Sequence, residues 1–316
     1  MQGGSATATE AGDVSGTASG TAIDTEWGPL AQPLHAEVPD DPRPWRDNAF
    51  LCFWDPATRV TGVMHISASP NAAGGRRARV SVRLENTTVE VVESLGFATW
   101  NSESITFDPQ TGFTVDGPGL SGSLTFTPHH ALAVFLGEHA PKAFSLDSEH
   151  PLHHYQRSAR VIGSLTVHGR TVEVDGFGYR DRTWGFREES ASVQEYYGCM
   201  WVFPDVSVSA IRLLGQDGHT ATIGHVCDAN GTVPVTGMTI VRDAAGLFRS
   251  TRIDRKEGDP LEVSLVERYG TFWCPMGVEE QAGPTLSAYD EWHSLRRADG
   301  VEGFGLLEQG ITRQLY

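Results

Sequence analysis

Period-two alternation of apolar and polar residues is the feature that most constrains the fold of this chain. Three segments show it clearly: 79–85, 121–127 and 206–210. In the first of them, Val80, Val82 and Leu84 share one face, as the residues of a half-buried strand do. Thirty-five glycines and seventeen prolines supply frequent turns between such strands. Helical periodicity is scarce, and short helices are expected only within 151–160 and 287–297.

Length and charge limit the organisation and the partners. A chain of 316 residues has room for two β-domains. We predict a disordered tail over 1–25, an N-terminal β-domain over 26–150 and a C-terminal β-domain over 151–316, divided at the polar connector 141–151. The formal net charge is −16 and the basic residues are scattered. Nucleic acid and anionic membranes are therefore not expected as partners, and no stretch is apolar enough to span a bilayer.

The four cysteines indicate a reducing compartment. Cys52, Cys199, Cys227 and Cys274 form no C-x-x-C pair, and the tail lacks the apolar run of an export signal. Free thiols and a cytoplasmic location are the expectation. The sequence does not predict an oligomeric state.

The best local prediction is a hairpin. Residues 161–168 and 171–175 alternate on either side of Gly169-Arg170, which suits a two-residue type II′ turn. That turn would pair Val167 with Val172 and Leu165 with Val174 on one face.

Beyond Val174 the alternation conflicts with burial. A regular strand would turn Arg180 and Arg182 inward, which is costly for unpaired charges. A bulge at Gly176-Phe177-Gly178 would instead direct Phe177, Tyr179 and Asp181 inward. Burial would then raise the pKa of Asp181 and keep it protonated as a general acid. The alternative is that Asp181 is a salt-bridged residue with a structural role.

The segment that contains this aspartate has a family signature. Residues 176–187, read as GFGYRDRTWGFR, resemble the G-x-G-x-R-D-H-S-W-G-x-R motif of the carotenoid 1,2-hydratase and AttH-like superfamily. Weaker similarities are found in 55–70, with Pro70-Asn71, in His154-Tyr155-Gln156 and in 303–308.

The resemblance implies an all-β fold of two lipocalin-like barrels or sandwiches packed together, with the ligand site inside or between them. Characterised members act on polyenes, terpenoids or polyketide-like molecules without metal or nucleotide, and we expect no cofactor here. The family aspartate corresponds to Asp181 and its tryptophan to Trp184. One departure is Arg182, where the family has histidine. If that histidine moves protons, arginine cannot replace it because it stays protonated.

We therefore expect a metal- and nucleotide-independent lyase or isomerase, a hydratase or cyclase for an apolar isoprenoid or polyketide-derived molecule. Asp181 would protonate the substrate, and aromatic faces would stabilise the developing cation. The expected substrate-binding residues are Phe177, Tyr179, Trp184, Tyr197, Trp201, His225 and Trp273. Tyr197 is preferred to Tyr196 because it shares parity with Cys199 and Trp201. A carrier without turnover and a Diels-Alderase-type pericyclase remain the alternatives.

Other candidate residues have simpler explanations. The pairs His129-His130 and His153-His154 are interpreted as loop residues, because adjacent strand positions cannot complete a metal site on one face. Core packing explains any single aromatic residue as well as binding does. We read the carboxylates of Glu195 and Asp290-Glu291 as parts of solvated faces.

Overall fold

The computed structural model describes residues 27–38, 40–41, 45–71, 75–135, 152–187, 193–275 and 285–313, with only the backbone for 273–275, 285–287 and 313. The predicted tail, the connector 141–151 and the side chain of Trp273 lie outside the described residues. The fold is all-β, and its one short helical turn is the 3₁₀ segment Gly28–Ala31. In the described residues no helix has the length and apolar content needed to cross a membrane.

Ten strands form the N-terminal sheet. They are β1 Trp45–Asp55, β2 Val60–Ser67, β3 Arg77–Leu84, β4 Thr87–Ser94, β5 Ile105–Asp108, β6 Gly112–Gly117, β7 Leu120–Pro128, β8 Ala133–Val134, β9 His153–Val167 and β10 Arg170–Phe186. The strand order is β4-β3-β2-β1-β10-β9-β7-β6-β5, with β8 paired to β9. The sheet curls around one apolar core into an open half-barrel.

Eight strands form the second unit. They are β11 Val193–Val202, β12 Ser207–Gly215, β13 Thr220–Cys227, β14 Thr232–Arg242, β15 Phe248–Arg255, β16 Leu261–Pro275, β17 Thr285–Arg297 and β18 Glu302–Arg313. Each strand pairs with the next, and β18 closes on β11 to complete a barrel. In the described residues the ring of strands is closed, although β13 pairs with β14 only from His225 to Cys227 and β15 pairs with β16 only from Ser250 to Ile253.

The all-β prediction of two packed barrel-like units is confirmed, but three local predictions differ from the structure. The short helices expected within 151–160 and 287–297 are wrong, because β9 and β17 occupy those segments. The described units meet between Arg187 and Val193 and not near residue 150. The signature segment therefore lies in the N-terminal sheet, because β10 pairs with β1 more than 120 residues earlier in the chain.

The hairpin is present, but its turn is displaced by one residue. Arg170 pairs with Val167 and Val172 with Leu165, so the predicted register is wrong by two positions. The central turn residues are His168 (φ 49°) and Gly169 (φ 80°). Two successive positive φ angles define a type I′ turn, which matches the right-handed twist of the flanking strands. The apolar parity survives because a shift of two residues preserves the face.

The two units are joined by an apolar contact. Cys52, Trp54, Val63 and Tyr179 of the sheet pack against barrel side chains, namely Met200, Val202, Phe272, Trp292 and Leu306. The Tyr179 hydroxyl donates to the carbonyl of Val208 at 2.9 Å and lies 3.3 Å from that of Trp201. Both faces of the sheet centre are consequently buried, the inner one by its own core and the outer one by the barrel.

Candidate active site

The signature strand β10 is regular, and the predicted bulge at Gly176–Gly178 is wrong. β10 pairs with β9 from Arg170 to Trp184 and with β1 from Phe177 to Phe186, without a register shift. The two arginines therefore do face the inner core of the sheet. They are tolerated there because distant segments supply partners: the guanidinium of Arg180 lies 4.2 Å from the ring centroid of Trp27, and Arg182 pairs with Asp47 at 2.5 Å.

The opposite face of β10 directs Asp181 toward the barrel. Its side chain is 11% exposed, so it is enclosed as predicted, although the buried outer face of the sheet causes this and not a bulge. Its Oδ2 accepts hydrogen bonds from His154 Nε2 at 2.5 Å and from Gln156 Nε2 at 2.6 Å. The Thr183 hydroxyl donates to Oδ1 at 3.1 Å. All four side chains lie on one face of the β9–β10 pair.

These contacts determine the charge of Asp181. Burial raises its pKa, but the electrostatic interaction with His154 and the hydrogen bonds from His154 and Gln156 lower it, with Arg187 contributing further. The net result is a pKa below the usual value for aspartate. The predicted neutral acid at this position is therefore wrong: hydrogen bonds to the charged form favour that form. Asp181 is a carboxylate at neutral pH.

A second layer fixes the orientation of the groups around Asp181. The Ser209 hydroxyl of β12 donates to Gln156 Oε1, which leaves the amide nitrogen to face Asp181. Phe135, fully buried, stacks on the His154 ring with centroids 4.7 Å apart. The His154–Asp181 pair is thus held by both units and restrained from rotating.

We infer a cleft between the two units beside this pair from side chains that keep accessible surface on both units. From the sheet, Phe50 and His65 face it in register with Asp181, and all three keep part of their surface accessible. From the barrel, the facing row contains Gly198 and Glu308, which are also partly accessible. Accessible surface on two opposed layers indicates a space between them.

His65 shows how deep this space lies. Burial lowers its pKa to about 3, with the charges of Arg77 and Arg79 acting in the same direction. His65 is therefore largely desolvated while part of its surface stays accessible, as expected of a residue in an enclosed interface.

Gly198 provides room in the centre of the barrel row. It lies on the outward face of β11 between Tyr196 and Met200. A Cβ added there would approach no heavy atom closer than 3.8 Å, whereas one at Gly305 or Gly310 would come within 2.1 Å of its neighbours. The missing side chain at 198 therefore leaves space on the barrel face that is turned toward the sheet.

Filling that space should block the cleft. We expect Gly198→Leu to lower the affinity for the neutral apolar fluorophore N-phenyl-1-naphthylamine by at least about 10-fold, since the ligand would lose contacts with both layers. Gly231→Leu, at a turn glycine with no atom within 4 Å of an added Cβ, is the matched control. Unchanged binding in a folded Gly198→Leu protein would show that the cleft does not take up apolar ligands. Fluorescence titration measures both.

The remaining predicted binding residues are not all brought together. Phe177 and Tyr179 share the face of Asp181, whereas Trp184 lies on the opposite face and stacks on Tyr155 at 5.3 Å. Tyr197 and Trp201 point into the barrel interior, as their shared parity predicted, and so face away from the cleft.

His225 lies on β13, as predicted, on the outer face of the barrel. Its ring meets Phe135 edge-on at 5.3 Å, and Phe135 stacks in turn on His154. His225 is thereby connected to the Asp181 group through one aromatic side chain.

Sequence reasoning missed several members of the site. His154 lies on β9 and not in a loop, and Asp290 and Glu291 are buried at 1% and 6% exposure and not solvated. The alternation His154, Gln156, Ser158 was the available signal, because these three share one face of a strand. No local signal pointed to Ser209, which arrives from the other unit. Within the described part of the chain, no three His, Cys, Asp or Glu side chains converge as metal ligands.

Comparison with solved structures defines the class. CghA, solved with Sch210972, superposes with a TM-score of 0.61 at 11% identity, covering 91% of this chain and 95% of CghA. A putative AttH from Nitrosomonas europaea has a TM-score of 0.59 at 13% identity, covering 84% and 92% of the two chains. Kievitone hydratase from Nectria haematococca has a TM-score of 0.58 at 17% identity, covering 84% and 88%. The protein thus has the AttH-like fold of two β-units, which bears out the resemblance in residues 176–187.

The family is defined by sequence as well. Residues 31–311 match a family described as domain of unknown function DUF7064, and the chain belongs to that family. No curated protein matches the sequence. One of the proteins with this fold is therefore a hydratase. At identities of 10–17% the similarity shows the fold alone, so the activity of this chain has to be argued from its own residues.

Proposed function

We propose that this protein is an enzyme that holds an apolar small molecule in the cleft between its two units and catalyses a hydration or cyclisation by proton transfer. The observation that supports it best is the ionised Asp181, bonded to His154 and Gln156 beside an interior cleft. A buried carboxylate held against an imidazole is suited to proton transfer. The expected substrate is an isoprenoid or polyketide-derived molecule.

In this mechanism Asp181 does not donate the proton itself, because it is already ionised. It orients the imidazole of His154 and stabilises its protonated form, as a carboxylate does in other acid–base pairs. His154 then accepts a proton from attacking water or from a substrate hydroxyl. Phe135, stacked on the ring, adds an aromatic face to the positive charge that His154 acquires.

Asp181→Asn is the direct test. Asparagine keeps the shape but removes the charge that supports protonated His154, so we expect turnover to fall by about 100-fold or more. Asp175→Asn, an exposed aspartate on the same strand, is the matched control and should keep full activity. The substrates to try first are kievitone and other prenylated phenols, incubated in ²H₂O or H₂¹⁸O and analysed by mass spectrometry.

The isotopes separate the candidate reactions. Incorporation of both labels indicates hydration, and deuterium without ¹⁸O indicates protonation followed by cyclisation. A pericyclase incorporates neither label and should be slowed only modestly by Asp181→Asn. A carrier shows no turnover and binds kievitone equally well in both proteins. Full activity in Asp181→Asn would remove the proposed role of the pair.

A further inference from the structure

Asp290 is a second carboxyl group at the cleft, contributed by the barrel. It lies on the outward face of β17, opposite Glu308 on β18, and Trp292 two residues later packs against Cys52 and Trp54 of the sheet. Because residues two apart on a strand share a face, Asp290 points toward the sheet as well. Its row on the barrel, with Glu308 and Gly198, belongs to the outward face that carries Met200 and Trp292 against the sheet.

The environment of Asp290 differs from that of Asp181 in every respect that affects charge. Asp290 is 1% exposed, and its Oδ1 has no hydrogen-bond partner among the described residues. Burial raises its pKa to about 7, and the charge of Arg79 on β3 opposes that shift. Asp181, by contrast, accepts three side-chain hydrogen bonds and is ionised.

The titratable groups on the facing elements and beside Asp290 include Cys52 on β1, His65 on β2, Arg79 on β3, Tyr179 and Asp181 on β10, Arg187 directly after β10 and Glu308 on β18. Of these, the charge of Arg79 lowers the pKa of Asp290. Burial chiefly raises the pKa of the Cys52 thiol, and the charges of Asp290, Asp181 and Glu308 raise it further, so carboxyls of both units lie near that thiol. Burial, together with an Oδ1 that has no partner among the described residues, favours the neutral form of Asp290.

We propose that Asp290 is a catalytic residue of this site, the acid that delivers the first proton to the substrate. This rests on the proposed function. In a hydration, the O–H bond of the Asp290 carboxyl breaks as a C–H bond forms at one alkene carbon, leaving the Asp290 carboxylate and a carbocation. Water then forms a C–O bond with the cation and loses its proton to the ring nitrogen of His154 that does not donate to Asp181. Transfer of that proton back to Asp290 restores both groups.

This division of roles matches the opposite environments of the two carboxyls. Pairs of titratable groups whose surroundings push their pKa values apart are the usual acid and base of an active site. The sequence predicted a neutral acid at Asp181, and in this proposal Asp290 of the barrel is that acid.

The test compares Asp290→Asn with Glu291→Gln, its buried neighbour on the opposite face of β17. We expect Asp290→Asn to lower isotope incorporation into kievitone or the other prenylated phenols by at least 100-fold. Glu291→Gln should retain it. Loss in Asp181→Asn with full activity in Asp290→Asn would overturn this inference alone, whereas full activity in both variants would also overturn the proposed function.

A second readout does not need turnover. In protein labelled with ¹³C at the aspartate carboxyl, the NMR signal absent from Asp290→Asn identifies Asp290. We expect the shift of a neutral carboxyl at pH 6 and a change when N-phenyl-1-naphthylamine binds. A chemical shift typical of a carboxylate at pH 6, or a shift that does not change when the ligand binds, would overturn the assignment.

Discussion

Replacing Arg182 with methionine should reduce the free energy of unfolding by about 3–5 kcal/mol, because it leaves the Asp47 carboxylate buried without its counter-charge. Both side chains are 0% exposed, and their charged atoms are 2.5 Å apart. Arg182 also donates to the carbonyls of Asn48 at 3.0 Å and Pro33 at 3.3 Å. The pair therefore ties β10 to β1 and to the segment that precedes β1. Urea unfolding followed by tryptophan fluorescence measures the loss.

Arg160→Met is the matched control, since Arg160 pairs with Asp175 on the surface and exposed pairs contribute about 1 kcal/mol or less. Adding Asp47→Asn to Arg182→Met should recover part of the loss, because the unpaired charge disappears while the acceptor for the His35 amide remains. A loss below about 1 kcal/mol in Arg182→Met would show that water reaches Asp47.

The same arginines show where sequence reasoning fails. Strand alternation alone predicts correctly that Arg180 and Arg182 face the sheet core. The prediction was rejected because buried guanidinium groups need partners. Those partners exist, but they are Trp27 and Asp47, more than 130 residues away. Nothing in the neighbouring sequence indicates that these partners lie beside the arginines. The predicted bulge was therefore a solution to a burial cost that tertiary contacts already offset.

Strand periodicity did predict the all-β class of the fold and one hairpin, although not the register of that hairpin. Alternation is a property of single strands, and it correctly gave the hairpin, its apolar face and the parity of Tyr197 with Trp201. Alternation could not predict that the N-terminal sheet extends to Arg187 and that the barrel begins after it. That boundary depends on the pairing of β10 with β1, and most of the N-terminal unit separates these two strands in the sequence. Strand order depends on pairing between distant segments, which alternation does not specify.

The site itself was predicted in part for the wrong reason. Burial of Asp181 was predicted from a bulge that β10 does not contain, and its charge depends on His154, Gln156 and Thr183, which surround the carboxylate only once β9 and β10 pair. Burial and hydrogen bonding shift a carboxyl pKa in opposite directions, so enclosure alone does not decide the protonation state. For Asp290, whose Oδ1 has no partner among the described residues, burial is the larger effect and the pKa is raised.

Asp290 should make the protein less stable as pH rises from about 4 to about 7. Its pKa in the folded protein is raised to about 7 from an ordinary value of 3.8, so folding retains a proton that the unfolded chain releases in that window. The stability is fully present below the unfolded pKa and is lost as pH rises through the folded one. A difference of roughly 3 pKa units corresponds to about 4 kcal/mol. Asparagine does not titrate, so Asp290→Asn should lack this part of the slope.

We therefore expect Asp290→Asn to be more stable than the wild type by about 4 kcal/mol at pH 8 and by only about 1 kcal/mol at pH 4.5. Urea unfolding at both pH values measures this, and the difference between the two proteins cancels the titration of all other groups. Equal slopes would mean that Asp290 is already ionised in the folded protein. Asparagine has almost the same size, so packing does not require an aspartate at 290. A carboxyl that lowers stability at neutral pH is better explained by proton transfer in the cleft it faces than by any structural role.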